Sequence, residues 1–194
     1  MLFDALKLIQ SAFQAYIAEV EDPPPAQNLM VLDNIALAEE LGGNRENLDG
    51  KIVMSLVNLQ EETTLKNTPH YRQEAGRTQY VNPPINLNLF VLFSVLHREQ
   101  YETSLKRLSR VIEFFQWRKE LSFLTTPPEL GGLSQEVRIY ADLYTLTFEQ
   151  LNHLWGALGG KQVPFVLYRM RIVPLSAQKQ QGEGPAITEV LIHE

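Results

Sequence analysis

The chain contains no cysteine, which excludes a disulfide scaffold, thiolate metal sites, iron–sulfur ligation and a cysteine nucleophile. Long apolar runs are missing too. The longest, residues 89–96, is interrupted by Ser94 and falls far short of the roughly 20 residues a membrane helix requires, so a soluble chain without direct membrane insertion is expected. Positive charge is scarce: 17 Lys and Arg stand against 23 Asp and Glu, a formal net charge of −6. Phosphate binding needs a concentrated basic surface, and this balance argues against nucleic acid as the main partner. What is present is one domain's worth of chain, 194 residues of which 44% are apolar, enough for one sizeable core and too little for a second catalytic domain.

The charge is unevenly spread. Residues 21–62 carry nine acids against Arg45 and Lys51, whereas residues 151–182 carry Lys161, Arg169, Arg171 and Lys179 and no acid. Two readings are open: two solvated faces, or a charge dipole that orients like subunits head to tail.

Residues 1–20 predict a helix, because Leu2, Leu6, Ile9, Phe13, Ile17 and Val20 recur at three- and four-residue steps and so form one apolar stripe. Pro23-Pro24-Pro25 ends it. The apolar stretches 28–38 and 51–60, separated by a Gly-Gly-Asn segment, have hairpin-like spacing. In the second, Ile52, Met54 and Leu56 alternate with Val53, Val57 and Leu59, which predicts a strand covered on both faces. Residues 61–80 lack apolar period and read as a mobile loop. Residues 85–96 read as a central strand, with a buried helix open as an alternative that periodicity cannot separate. Residues 98–118 predict a long central helix, with Leu105, Leu108, Ile112 and Phe115 on its core face and Lys106, Arg107, Arg110 and Glu113 pointing away.

Beyond the Thr-Pro-Pro and Gly-Gly loop at 126–132, Val137, Ile139, Ala141 and Leu143 alternate with Arg138, Tyr140, Asp142 and Tyr144, the pattern of a half-exposed antiparallel strand. Thr147 and Gln150 form a capping box for a short helix, 148–158, which Gly159-Gly160 should end. A last strand spans 163–173. The fold class is therefore α/β (α+β): a single domain, residues 1–175, with a mixed or antiparallel sheet flanked by an N-terminal helix, a long central helix and a short third helix. Residues 176–194 read as a flexible tail. In it the Gly-Glu-Gly-Pro stretch at 182–185 should hold no regular structure, while 186–192 form a β-prone tip.

No catalytic constellation emerges. Glu149 and His153 share a helix face, but a zincin motif needs two histidines; Gly159-Gly160-Lys161 lacks the first glycine and the Ser or Thr of a phosphate loop. His70, His97, His153 and His193 have no ligand spacing, and no serine sits in a nucleophile elbow. Phe114, Phe115, Trp117 and Phe123 read as core and helix-end packing. Neither enzymatic activity nor a metal or cofactor is expected.

Three segments taken together are more specific: YVNPPINLNLFVLF from Tyr80, YETSLKRLSRVIEFFQ from Tyr101, and LTFEQLNHLWGALGGKQVPFVLYRMR from Leu146. In this order and at these separations the chain resembles the cap, or tail-terminator, proteins of extracellular contractile injection systems, phage-tail-like particles such as the Photorhabdus virulence cassettes and the antifeeding prophage. The resemblance implies a structural protein that assembles as a ring, of six subunits, on the inner tube and the contractile sheath, cytoplasmic during assembly and then part of the particle. The other reading is a small adaptor or ligand-binding domain that kept the fold without the particle. Candidate interface residues are the basic Lys161, Arg169 and Arg171. Arg169 and Arg171 share one strand face and should be solvent-facing or paired across an interface. The tail adds Ile187, Val190 and Ile192, which suit strand addition to a neighbouring subunit or the last sheath ring, with pairing to the chain's own domain as the other possibility.

Overall fold

The apolar stripe of the first twenty residues does wind into a helix. In the computed structural model, which describes residues 2–25, 27–37, 48–62, 71–74, 77–80, 85–97, 99–125, 135–175 and 182–184, α1 (Leu2–Val20) buries Ala5, Leu6, Ile9, Phe13 and Ile17. The next two apolar stretches form β1 (Met30–Leu32) and β2 (Ile52–Glu61). They are not a hairpin. β1 runs parallel to β2, with Met30 opposite Ile52 and Leu32 opposite Met54. A parallel pair needs a crossover of about a dozen residues or more, and the chain between them, which includes a 3₁₀ turn at Ile35–Leu37, supplies it. Ser55 ties that turn down: its hydroxyl donates to Asp33 O at 2.6 Å and accepts from Ile35 N at 3.0 Å.

β2 is buried on both faces only over Ile52, Val53, Met54 and Ser55. Beyond Leu56 its register slips by one residue against β5 (Ile85–Val95), so that Leu56 faces Val91 and Asn58 faces Phe90. This β-bulge sends Leu59 to the side of Leu89 rather than to the side of Val53 and Val57, and the simple alternation fails there. β5 itself is the strand expected at 85–96, fully flanked by β2 and by β8 (Phe165–Leu175).

The loop expected at 61–80 is corrected in part: β3 (Tyr71–Glu74) and β4 (Arg77–Tyr80) pair antiparallel. β9 (Gly182–Gly184) adds to β4 as the third strand of this small sheet, contrary to the expectation of no regular structure there. Ladder bonds are made by main-chain groups that glycine and polar residues possess in full, so a free edge recruits such segments without an apolar pattern.

α2 (Tyr101–Trp117) starts three residues later than its sequence pattern suggests and is rotated about its axis. Its buried residues are Ser104, Leu108, Val111, Phe114 and Phe115; Leu105 and Ile112, expected in the core, are 45% and 39% exposed. The Phe114 ring, set edge-on to Phe13 at 5.5 Å, decides which of the two overlapping stripes docks. The helix runs into β6 (Glu120–Thr125), a strand its short sequence did not announce, which pairs antiparallel with β7 (Gln135–Leu143). α3 (Phe148–Ala157) has the predicted capping box, with Gln150 N donating to Thr147 Oγ1 at 3.3 Å and Thr147 N to Gln150 Oε1 at 3.1 Å. Gly159 and Gly160, at φ +104° and +83°, end it as expected.

The main sheet has the order β1-β2-β5-β8-β7-β6, antiparallel throughout except for β1–β2. Both of its faces are used. On one, α1 and α2 cover Ile52, Met54, Leu89, Val91, Phe93, Met170, Ile172, Val137 and Ile139 in a single apolar cluster. On the other, α3 covers Val53, Phe90, Leu92 and Leu167 with Trp155. The result is the expected α+β domain.

Candidate assembly face

α3 is only ten residues long, about 15 Å at 1.5 Å per residue, whereas the sheet beneath it is six strands wide, about 24 Å at 4.8 Å per strand. No described helix covers the remainder of that face. Strand register decides what lies there. Gln60 is opposite Asn88, Asn88 opposite Arg171, Arg171 opposite Tyr140, and Tyr140 opposite Glu120, so one rung carries polar residues across five strands. The next rung places Asn58, Phe90, Arg169 and Asp142 side by side. The β2 bulge is essential, since without it Val57 and Leu59 would occupy the positions of Asn58 and Gln60.

The electrostatics of this band divide in two. Around β8, Arg169 and Arg171 share a single carboxylate: Asp142 Oδ2 lies 3.6 Å from one guanidinium and 4.0 Å from the other. Both contacts are longer than the 2.7–2.9 Å or so of a charge-assisted hydrogen bond. Nε of Arg171 is buried with no hydrogen-bond partner among the described residues, as is Oδ1 of Asn88 on the neighbouring strand, while the Asn88 amide donates to Glu62 at 2.9 Å. Around the β6–β7 edge the stoichiometry is reversed. Arg138 donates to Glu136 at 2.9 and 3.2 Å and lies 3.5 Å from Glu120. Hydrogen bonding to Arg138 holds the Glu136 carboxyl below its usual range, and the same bond raises the Arg138 guanidinium.

Between the band and α3 lies an open groove of about 360 Å³, bordered by Asn58, Gln60, Tyr144, Gln150 and His153 over a floor that includes Phe90. Tyr144 stands edge-on to Phe90 at 5.1 Å. Among the described residues no group of three or more His, Asp or Glu could hold a metal ion, and no helix is long and apolar enough to cross a membrane.

The structure thus brings Arg169 and Arg171 together, with their nearest anionic partner in their own chain. Lys161 is exposed in the α3–β8 connection and borders a different, smaller recess with Trp155 and Val163. Ile187, Val190 and Ile192 lie outside the described residues. Sequence reasoning missed Asp142, the Glu120–Arg138–Glu136 cluster and Asn88 as parts of one site. The only signal was the polar half of the β7 alternation, which does not reveal its cross-strand partners. The segregation of charge along the chain is also blurred: Glu62, from the acidic segment, is held by the Asn88 side chain one strand away from Arg171, and Glu21 is held by Arg110 at 3.2 Å.

Fold and face together describe a small α+β domain whose distinctive surface is a charged stretch of sheet. The model of one protein family, the Pvc16 N-terminal domain, matches residues 5–189, and the chain belongs to that family. Two solved structures share the fold over 100% of this chain. One is the sheath/tube terminator of the PVC extracellular contractile injection system in its extended state, with a TM-score of 0.64 at 15% identity. The other is the tube-terminating cap of the anti-feeding prophage, with a TM-score of 0.62 at 13% identity. The chain covers 63% and 62% of their lengths, less than two thirds of either. No curated protein matches in sequence.

Proposed function

We propose that this chain is a structural cap of a contractile injection particle, seated as a ring of six on the inner tube and sheath so that polymerisation stops and particle length is set. The observation that carries the reading is the coincidence of two spans: the family match covers residues 5–189, and the terminator fold covers the entire chain. The partners under this reading are further copies of the chain and the tube and sheath proteins. The role involves no chemical step. Assembly takes place in the cytoplasm, after which the cap is part of an intracellular or released particle.

Electron microscopy of particles from a strain lacking the gene tests it. Tubes and sheaths of uncontrolled length, restored to uniform length by the wild-type chain, are the expected result; particles of normal length and intact ends overturn the reading. The tail proposal belongs to the same setting. Ile187, Val190 and Ile192 lie on a segment proposed to add as a strand to a neighbouring subunit or the last sheath ring. Deleting residues 185–194 leaves β9 in place and should release the cap from particles without changing the melting temperature of the free chain. Normal retention removes the tail from the mechanism.

A further inference from the structure

The two halves of the polar band have opposite charge imbalances. Around β8, two guanidiniums, Arg169 and Arg171, have one carboxylate between them. On the neighbouring β7 and on β6 beyond it, two carboxylates, Glu136 and Glu120, converge on the single guanidinium of Arg138. Counting the ion pairs within 4 Å among the described residues, the first half therefore has one positive charge in excess, and the second one negative. These side chains are 41–53% exposed, so they remain within reach of a partner.

From this we infer that the band is a docking surface for a second copy of the same chain, the Arg169–Arg171 half of one subunit receiving the Glu120–Glu136 half of another. Charge complementarity identifies the occupant, because the surplus in each half is what the other half lacks. An incoming carboxylate would complete the half-met pairing of the two arginines, whose own Asp142 is beyond hydrogen-bonding distance of both. Leu124, directly across from Glu136 on β6 and 73% exposed, supplies the apolar contact that a purely ionic patch lacks. Because both halves lie on one face of the sheet, the acid half of each copy meets the basic half of the other at the same time, and the contact closes on itself as a two-fold pair. This inference rests on the capping reading for its biological setting and names a surface through which two copies of the chain would meet.

Charge reversal tests it. R169E/R171E and E120R/E136R are each compared with the wild-type chain by sedimentation velocity at low and high salt, alone and as a one-to-one mixture, with thermal melts to verify folding. The wild-type chain should self-associate, and more weakly as salt rises. Each reversed variant alone should lose at least about tenfold in association. The mixture should recover it, because each acid or basic half then meets an opposite one only across the two different variants. The neutral pairs R169Q/R171Q and E120Q/E136Q carry the test if a reversed variant fails to fold: both should weaken association and flatten its salt dependence. A wild-type chain that stays monomeric at low salt, variants that associate as wild type does, or a folded mixture that shows no recovery would each overturn the proposal. A neutral pair that leaves association and its salt dependence unchanged would do the same. Failure here is separable from failure of the capping reading. Normal particle length in the deletion strain removes the cap while leaving a self-associating face in place, and a monomeric chain that still caps particles removes the face alone.

Discussion

The two faces of the main sheet use the same strands in opposite ways. Towards α1 and α2, Phe13, Phe93, Phe114, Met170 and Ile139 are fully buried in one continuous cluster, and the rings of Phe114 and Phe115 meet at 4.9 Å. Towards α3, the apolar cluster around Trp155 and Leu167 stops at the edge of a short helix, and the rest of the face is the charged band. Alternate residues of β7 and β8 serve the two purposes: Ile139, Ala141, Met170 and Ile172 point into the core, whereas Arg138, Asp142, Arg169 and Arg171 are exposed or half-exposed. A strand's two-residue period lets one element support folding and present a surface, so substitutions one position apart should differ in kind as well as in size.

The sharpest break of this comparison is Phe13→Ala. Phe13 is wholly buried against Phe114, and its loss should cost about 3–5 kcal/mol in urea unfolding. A cost under about 1 kcal/mol would mean that the helical layer is not the stabilising one.

The second effect depends on pH. Burial pushes the Tyr168 hydroxyl, on the helix-covered face, up to about 12 from the ordinary value of 10.0. The folded chain therefore keeps its proton where the unfolded chain loses it. The associated stability is complete below pH 10 and is lost as pH rises towards 12. Tyr168→Phe should remove that tyrosine's share of the alkaline slope of melting temperature against pH. An unchanged slope would show that the face is wetter than its packing implies.

A smaller effect is expected where α3 begins. Thr147→Ala deletes half of the capping box and should cost about 1 kcal/mol, and urea unfolding of this variant beside the Phe13→Ala one would rank the two layers. Smallest of all is Asp142→Asn on the band. The pair geometry is long and the groups are half-exposed, so stability should change by less than about 1 kcal/mol. Self-association, read by sedimentation, should change more than stability does, because the two arginines then lack the one carboxylate within 4 Å of them among the described residues. A large drop in melting temperature with unchanged association would place Asp142 with the core rather than with the surface.

Local rules were readable wherever they act alone. The α1 stripe, the Thr147–Gln150 box and the paired glycines at 159 and 160 are each determined by residues within a few positions of one another, and the structure has all three. Rules in competition were not readable. α2 carries two overlapping stripes, and the one containing Val111 and Phe114 won because Phe13 lies across from it. The direction of β1 against β2 was invisible because pairing sense is a property of two distant segments and the connection between them. β6 was missed because its alternation, Leu121 and Phe123 against Glu120 and Ser122, runs for only a few residues directly after a helix.

For the candidate site the division is stricter. The sequence by itself determined that Arg169 and Arg171 share a face, that Arg138 and Asp142 share another, and that the protein has an α+β domain's worth of core without a nucleophile elbow or a cysteine. Only the tertiary structure decided that these pairs are neighbours. Cross-strand contacts depend on register, register depends on hydrogen bonding between segments some 30 residues apart or more and on one extra residue at Val57, and a slip of a single position would have turned the charged band inward. Strand alternation is local and can be read along the chain, whereas the partner across each rung is chosen by the assembled sheet.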